Sequence, residues 1–465
     1  MVGKSAVTKP GMIIVSLIIA NFLAQLMQTM LNTALPQMMQ DIGINENRGQ
    51  WLITAYLLVT AITAPVSGVL IGRFSTRKLF FVSVGAFTSG TIIAGFSGSF
   101  ALILAGRIFQ AIGAGLLMPL FQITILRIFP KEKVGATMGL VSLIMGFAPA
   151  LGPTLSGFVI QHHSWRVLFY GVIPVAIVNL LVGYFSLKNV GEIVETKLDF
   201  KSIFYSSVGF ASLLYGFSIV GEQRGNHLLS WATILGGICI VFLFIKRQLK
   251  LSEPLLNFNI FRYRMFSRSS IIGVILFILL VGVELMLPLY AQNVRGLTPR
   301  ESGIMLLPGA LLLAGAALIS GRLYDRFGIR MLLQGGFFFI TVIALLLTVT
   351  ISFHTSYILL VVAYALLLLG IGFMLTPITA YAMMSVPHDI IRHASPMTIT
   401  LRMLSSSMGG ALLVTIMTAT SSVSFTGSML EGIRASFGIL TFISGIGFVF
   451  SLYLSEHSKL DDAAL

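Results

Sequence analysis

The sequence predicts an all-α integral membrane protein with fourteen transmembrane helices. They form two pseudo-symmetric six-helix bundles and an inserted helix pair. Three observations predict this. Hydrophobic residues make up 56% of the 465 and charged residues only 10%, whereas soluble domains carry roughly 25% charge. Apolar runs of bilayer length, about 20 residues, recur along the whole chain. A loop near the start of the chain also returns, in altered form, past its middle.

The first six runs cover 12–35, 51–70, 79–96, 101–126, 135–160 and 165–187. A pair follows at 203–220 and 228–245, the second being short. The last six cover 269–289, 303–320, 331–351, 357–374, 398–417 and 433–454. Lys4 and Lys9 precede the first run without a small-residue cleavage site, so that run is expected to stay as a span rather than leave as a signal.

Charge placement supports the count. The chain holds 30 Lys and Arg against 16 Asp and Glu, a net +14. Such an excess suggests nucleic acid in a soluble protein, but no basic run here is interleaved with exposed aromatics. Instead 22 of the basic residues fall in one set of alternate loops and six in the other, with Arg107 and Arg402 inside spans. Basic loops stay in the cytoplasm, so both termini are expected there, in a multi-pass protein of the cell membrane. The single cysteine, Cys239, excludes an intrachain disulfide and a thiolate metal cluster.

Two anchors reveal the duplication. GVLIGRFSTRK after the second run (68–78) corresponds to GRLYDRFGIRM after the tenth (321–331), and Pro36 ending the first run corresponds to Pro288 ending the ninth. The offsets are nearly equal, which is the mark of an internal repeat. The expected organisation is an N-terminal six-helix bundle at 1–190, inserted helices with their linkers at 191–268, and a C-terminal bundle with a short tail at 269–465. Repeated halves with a site at their interface characterise secondary transporters.

GRLYDRFGIR, with Gly321, Leu323, Asp325, Arg326, Gly328 and Arg330, resembles the signature loop of the major facilitator superfamily. WLITAYL (51–57), GRIFQAIGAG in the fourth run, LGPTLSG (151–157), the stretch 288–308 and LRMLSSSMGGAL around Arg402 resemble its 14-span drug:proton antiporter branch, the multidrug efflux type. The resemblance covers the whole chain. It implies a major facilitator fold that exports amphipathic, often cationic drugs in exchange for protons by alternating access.

The resemblance also assigns roles. Gly68, Arg73, Arg77 and Lys78, with Gly321, Asp325, Arg326, Gly328 and Arg330, would form gating loops at the cytoplasmic side. The first copy has Gly72 at the acidic position and Ser75 where the second has Gly328, so any latch should lean on the second. Gly146, Pro149, Gly152, Pro153 and Gly157 resemble the exporter hinge. Small residues allow close helix approach, and prolines kink a helix.

Charged residues within a span are costly and usually mark pathways. Glu284 lies in VGVELML, about 10 Å from the outer end of its span at 1.5 Å per residue. A carboxyl group there can trade a proton for cargo, or serve as a structural hydrogen-bonded acid, paired for instance with Arg107. The branch often carries an acid in the first span where this chain has Met27, in LMQTMLNTALP, so proton coupling moves to Glu284. By the repeat offset Glu284 corresponds to Asn32, and the two are expected to face one another. Arg107 matches an arginine that the resemblance links to proton release, with a salt bridge as the alternative. Arg402, nearer the cytoplasm, is assigned to coupling as well, or to snorkelling.

Polar groups on apolar helices mark the cargo site: Gln25, Gln28, Asn32, Tyr56, Gln110, Gln122, Tyr290 and Gln292. Gln25, Gln28 and Asn32 follow i, i+3, i+7 spacing and share one helix face. The 21 Met and 35 Phe can supply an adaptable apolar wall. His162 and His163, without acidic or thiol partners, read as loop residues rather than a metal site. No phosphate-binding Gly-Lys loop is present, so ATP is not expected to drive transport directly. No enzyme, cofactor, metal or nucleic-acid partner is expected; the partners are small amphipathic drugs, protons and the bilayer, and the chain is expected to act as a monomer. Two further readings stay open: an exporter of a metabolite, lipid or siderophore, and a non-transporting sensor of the same fold.

Overall fold

A computed structural model describes residues 10–44, 46–128, 147–148, 151–187, 189, 199–220, 227–251, 254–387, 391–423 and 429–453. The described residues build helices α1 (Pro10–Ile42), α2 (Glu46–Arg73), α3 (Thr76–Phe96), α4 (Phe100–Ile128), α5 (Leu151–Ile160) and α6 (Arg166–Ser186). Then come α7 (Phe200–Val220), α8 (His227–Gln248), α9 (Arg264–Asn293), α10 (Pro299–Thr350), α11 (Tyr357–Met384), α12 (Ile391–Val423) and α13 (Met429–Leu452). No strand occurs among them. Twelve described segments are long and apolar enough to cross a membrane. Most of the fifth expected run, including Gly146 and Pro149, lies outside the described residues.

The helix α10 holds two crossings. Gly328 has φ 73° and ψ 168°, a backbone that breaks α10 into two helices at that residue. This region is essentially closed to residues with a Cβ, which explains the glycine at that place in GRLYDRFGIR. The earlier loop solves the same reversal differently. Ser75 adopts extended backbone and its hydroxyl accepts from the Lys78 N–H, starting α3 with a side-chain cap.

Apolar packing divides along the chain. One cluster draws its buried residues from Ile13 to Leu187 and takes in Ile399 and Met403 from α12. A second runs from Ile272 to Leu440. Within the first, α3 packs on α4 and α6, and α2 on α4; within the second, α9 packs on α11, α12 and α13. A third cluster joins Val69 of α2 and Phe210 of α7 to Ala382, Ala394 and Met397.

The pair α7 and α8 is tied at one end. The Asp199 carboxylate accepts from Arg247 Nε at 2.7 Å and Nη2 at 2.9 Å, and Gln248 Nε2 donates to Ser202 Oγ at 2.6 Å. Gln248 Oε1 in turn accepts from the Leu255 N–H, anchoring the linker. The Arg247 guanidinium pushes the Asp199 carboxyl down to about 2. From this pair α7 packs on both α2 and α12 and stacks Tyr215 on Trp51 at 5.4 Å, while α8 buries Phe244 against Phe258 in the third cluster.

At the far end of α1 the Asp41 carboxylate accepts from Arg166 and from Trp165 Nε1 at 3.0 Å, and those two donors hold it below the usual carboxylate range. This tie binds α1 to the start of α6 on the side opposite the termini.

Candidate functional site

Between α1, α2 and α4 on one side and α12 on the other lies a narrow cavity that is partly open to solvent. From α1 it is lined by Asn21, Ala24, Gln25 and Gln28; from α2 by Thr60; and from α4 by Ala114, Gly115 and Met118. The other wall is α12, with Ile399, Arg402 and Met403. The stripe on α1 is what helical spacing produces: residues 21, 25 and 28 fall on one face.

The two halves are bonded across both ends of this space. Toward the termini, Ser395 Oγ at the start of α12 donates to Gln122 Oε1 on α4. Toward the opposite side, Thr154 Oγ1 of α5 donates to the Gly303 carbonyl of α10 at 3.0 Å. Beside that contact α5 lies hard against α1. A Cβ on Gly152 would stand 2.1 Å from Thr29 Oγ1 and 3.0 Å from the Met30 nitrogen, so only glycine permits the approach.

Beneath the cavity, Arg107 is fully buried and held within the N-terminal half. Its Nε donates to the Leu52 carbonyl at 3.0 Å, and Nη1 donates to Gln110 Oε1 at 2.9 Å and to the Met27 carbonyl at 3.3 Å. The guanidinium lies 4.2 Å from the centre of the Tyr56 ring, whose hydroxyl donates to the Ala24 carbonyl at 2.9 Å. Gln110 closes the network by donating to Thr91 Oγ1 at 2.9 Å. Where the resemblance expects an acid at Met27, a backbone carbonyl takes the arginine instead.

Arg402 contrasts with it. It is 7% exposed, and its guanidinium makes no hydrogen bond or ion pair with a described residue; it rests 5.2 Å from the Phe277 ring centre. It sits eleven positions into α12, about 16 Å along the axis. Glu284 on α9 is half-buried, with no hydrogen bond or ion pair among the described residues. Its electrostatic neighbour is Tyr364 of α11, whose buried hydroxyl has no partner. The pairing of Glu284 with Arg107 is therefore corrected, because all the hydrogen bonds of Arg107 go to α1, α2 and α4.

Of the eight residues expected at the cargo site, Gln25 and Gln28 line the cavity. The Asn32 side chain is not among those described, so its facing toward Glu284 lies outside them. Tyr56 and Gln110 are consumed by the Arg107 network, and Gln122 by Ser395. Tyr290 is fully buried and donates to the Ser352 carbonyl at 2.5 Å; Gln292 is exposed beyond it. These five do not line the cavity, because each polar group meets a partner inside its own bundle or at the cross-half bond, or else faces outward. Asn21 and Thr60 were not expected. Asn21 continues the Gln25–Gln28 stripe by one turn, so the spacing could have found it; its Nδ2 donates to the Leu17 carbonyl at 2.8 Å and the Leu117 carbonyl at 3.3 Å.

Among the gating candidates, Arg73, Lys78, Arg326 and Arg330 are exposed, and Gly68 and Gly157 are buried. Pro153 and Gly321 are half-buried. Arg77 Nη2 donates to the Tyr184 carbonyl at 3.0 Å. The side chain of Asp325 is not described, which leaves the expected latch at that position outside the described residues.

A family model, "Major Facilitator Superfamily", matches residues 17–410. The chain is 39% identical to a Bacillus subtilis protein named "Uncharacterized MFS-type transporter YcnB", over 96% of each chain. It is 34% identical to the "Lincomycin resistance protein LmrB" of Listeria monocytogenes, covering 96% of this chain and 97% of that one. The fold matches the crystal structure of the human organic anion transporter MFSD10 (TETRAN) with a TM-score of 0.67, at 14% identity, over 95% of this chain and 99% of that one. This multi-pass membrane protein belongs to the Major Facilitator Superfamily of transporters.

Proposed function

We propose that the protein is a secondary active exporter that expels small amphipathic drugs in exchange for protons. The observation that carries this reading is the cavity between the two halves, polar on α1 and α2 and apolar on α4, with a hydrogen bond joining the halves on either side of it. Such a seam fits alternating access, in which one cross-half bond opens while the other holds. The likeness to a lincomycin resistance protein over nearly its whole length supports drugs as cargo and lincomycin as the first to test.

In this reading the chain crosses the membrane fourteen times with both termini in the cytoplasm, and α7 and α8 are the inserted pair. Glu284 carries the proton, since it is an ionisable group inside a span with no ion-pair partner among the described residues. Arg107 places a fixed positive charge at Met27, where the drug:proton branch often has an acid. The Gln122–Ser395 bond closes the path toward the termini, and the Gly152 contact with Thr29 backs the opposite closure.

Drug accumulation in cells, with and without an uncoupler, tests the reading. Cells expressing the protein should accumulate less lincomycin than empty-vector cells, and the uncoupler should abolish the difference. Accumulation equal to the empty vector under both conditions would instead favour the non-transporting sensor.

A further inference from the structure

Arg402 is the unclaimed charge of the cavity. An arginine offers five N–H donors in a rigid fork, and a buried cation without a counter-ion is costly. Arg107 meets most of that cost with two carbonyls, a glutamine and a ring, leaving only Nη2 without a described partner. Arg402 meets it with the face of Phe277 alone. Among the described residues no carboxylate lines the cavity, and the two ion pairs, Asp41–Arg166 and Asp199–Arg247, lie elsewhere. Nor does any described hydrogen bond engage the side-chain amides of Gln25 or Gln28, which line the same space.

From this arrangement we infer that the cavity is a receptor for amphipathic organic acids, with the guanidinium of Arg402 taking the carboxylate of the cargo. A planar carboxylate matches the fork with two parallel N–H···O bonds. The amides of Gln25 and Gln28 offer further donors, and Ile399, Met403 and Met118 offer an apolar wall for the body of the molecule. A cationic cargo would meet an uncompensated like charge in a site poor in water, where repulsion is weakly screened. Arg402 is thus a specificity-determining residue that ranks acidic cargo above permanently cationic cargo of the same size, and a basic drug such as lincomycin would enter as its neutral form.

The inference rests on the reading of this cavity as the cargo site, and a binding measurement separates the two. The full-length protein is placed in nanodiscs of neutral lipid. Equilibrium binding of 1-naphthoate, 1-naphthylmethylammonium and 1-naphthalenemethanol is measured with empty discs subtracted. The naphthoate should bind at least tenfold tighter than the ammonium. Arg402→Gln should lose that preference while binding the neutral alcohol as the wild type does, which shows that its cavity is intact. Arg402→Lys should keep part of the preference, having the charge without the fork. Equal or tighter binding of the ammonium by the wild type would overturn the inference. So would unchanged naphthoate affinity in Arg402→Gln, or displacement of naphthoate by chloride at equal concentration, which would mark a site for inorganic anions. Proton-driven transport plays no part in this assay, so its failure in cells leaves the binding result standing.

Discussion

Arg107 and Arg402 are the same residue type, both buried in a transporter's midst, and they are treated in opposite ways. Arg107 is enclosed by α1, α2 and α4, with Leu52, Met27, Gln110 and Tyr56 around it. Arg402 lines the space between the halves and touches one aromatic face. The first contributes to the structure of a bundle; the second is left open to cargo. Burial of a charge therefore does not by itself identify a functional site. What distinguishes the two is whether the protein supplies the partners.

The contrast can be broken by substitution. Arg107→Ala strands two buried carbonyls and the Gln110 amide oxygen, and should destabilise the protein by about 3 kcal/mol. Arg402→Ala strands no hydrogen-bond partner and should cost less than about 1 kcal/mol, while removing the preference for acids. Thermal unfolding of both variants in detergent, followed by size-exclusion of the folded fraction, checks this. The opposite order of stabilities would mean that the roles are reversed.

A second pair of sites sharpens the contrast between a packed half and the seam. A Cβ on Gly152 would collide with Thr29, whereas on Gly303 the nearest atom, the Pro153 carbonyl oxygen, stands at an ordinary 3.6 Å. Gly152→Ala should therefore push α5 from α1 and cost about 1–3 kcal/mol, and Gly303→Ala should be near neutral. Transport rates measured beside melting points would show whether the Gly152 contact also limits turnover.

The smallest effect is expected at α7 and α8. The Arg247 guanidinium holds the folded Asp199 carboxyl down at about 2, against 3.8 for a free aspartate. Its contribution is complete above pH 3.8 and is lost as the pH falls through about 2. Asp199→Asn should loosen the pair by about 1 kcal/mol at neutral pH, since both partners are partly exposed. Hydrogen exchange in α8 should report this loss, and it should vanish near pH 2.

Much of the fold was legible because a membrane span declares itself by apolar length. Gly328 was legible as a motif residue, and its positive φ gives the motif its physical reason. Ser75 departs from that motif without loss, because it caps α3 instead of breaking a helix. The site was only half legible. Spacing along one helix placed Gln25 and Gln28 together, since both lie on α1. It could not show that Tyr56 and Gln110 are spent on Arg107, because those partners meet only after three helices pack. The surroundings of Arg402 were illegible for a related reason: position in a span gives depth, whereas the direction a side chain faces comes from the neighbouring helix.

The account's central claim is that cargo leaves in exchange for protons carried by Glu284. The direct measurement is lincomycin transport by purified protein in liposomes under an imposed pH gradient, wild type beside Glu284→Gln. The wild type should drive transport that collapses when the gradient is dissipated. Glu284→Gln should lose the pH-driven component and still exchange labelled for unlabelled lincomycin at equilibrium, showing that the cavity works without the coupling. Undiminished pH-driven transport by Glu284→Gln would contradict the claim.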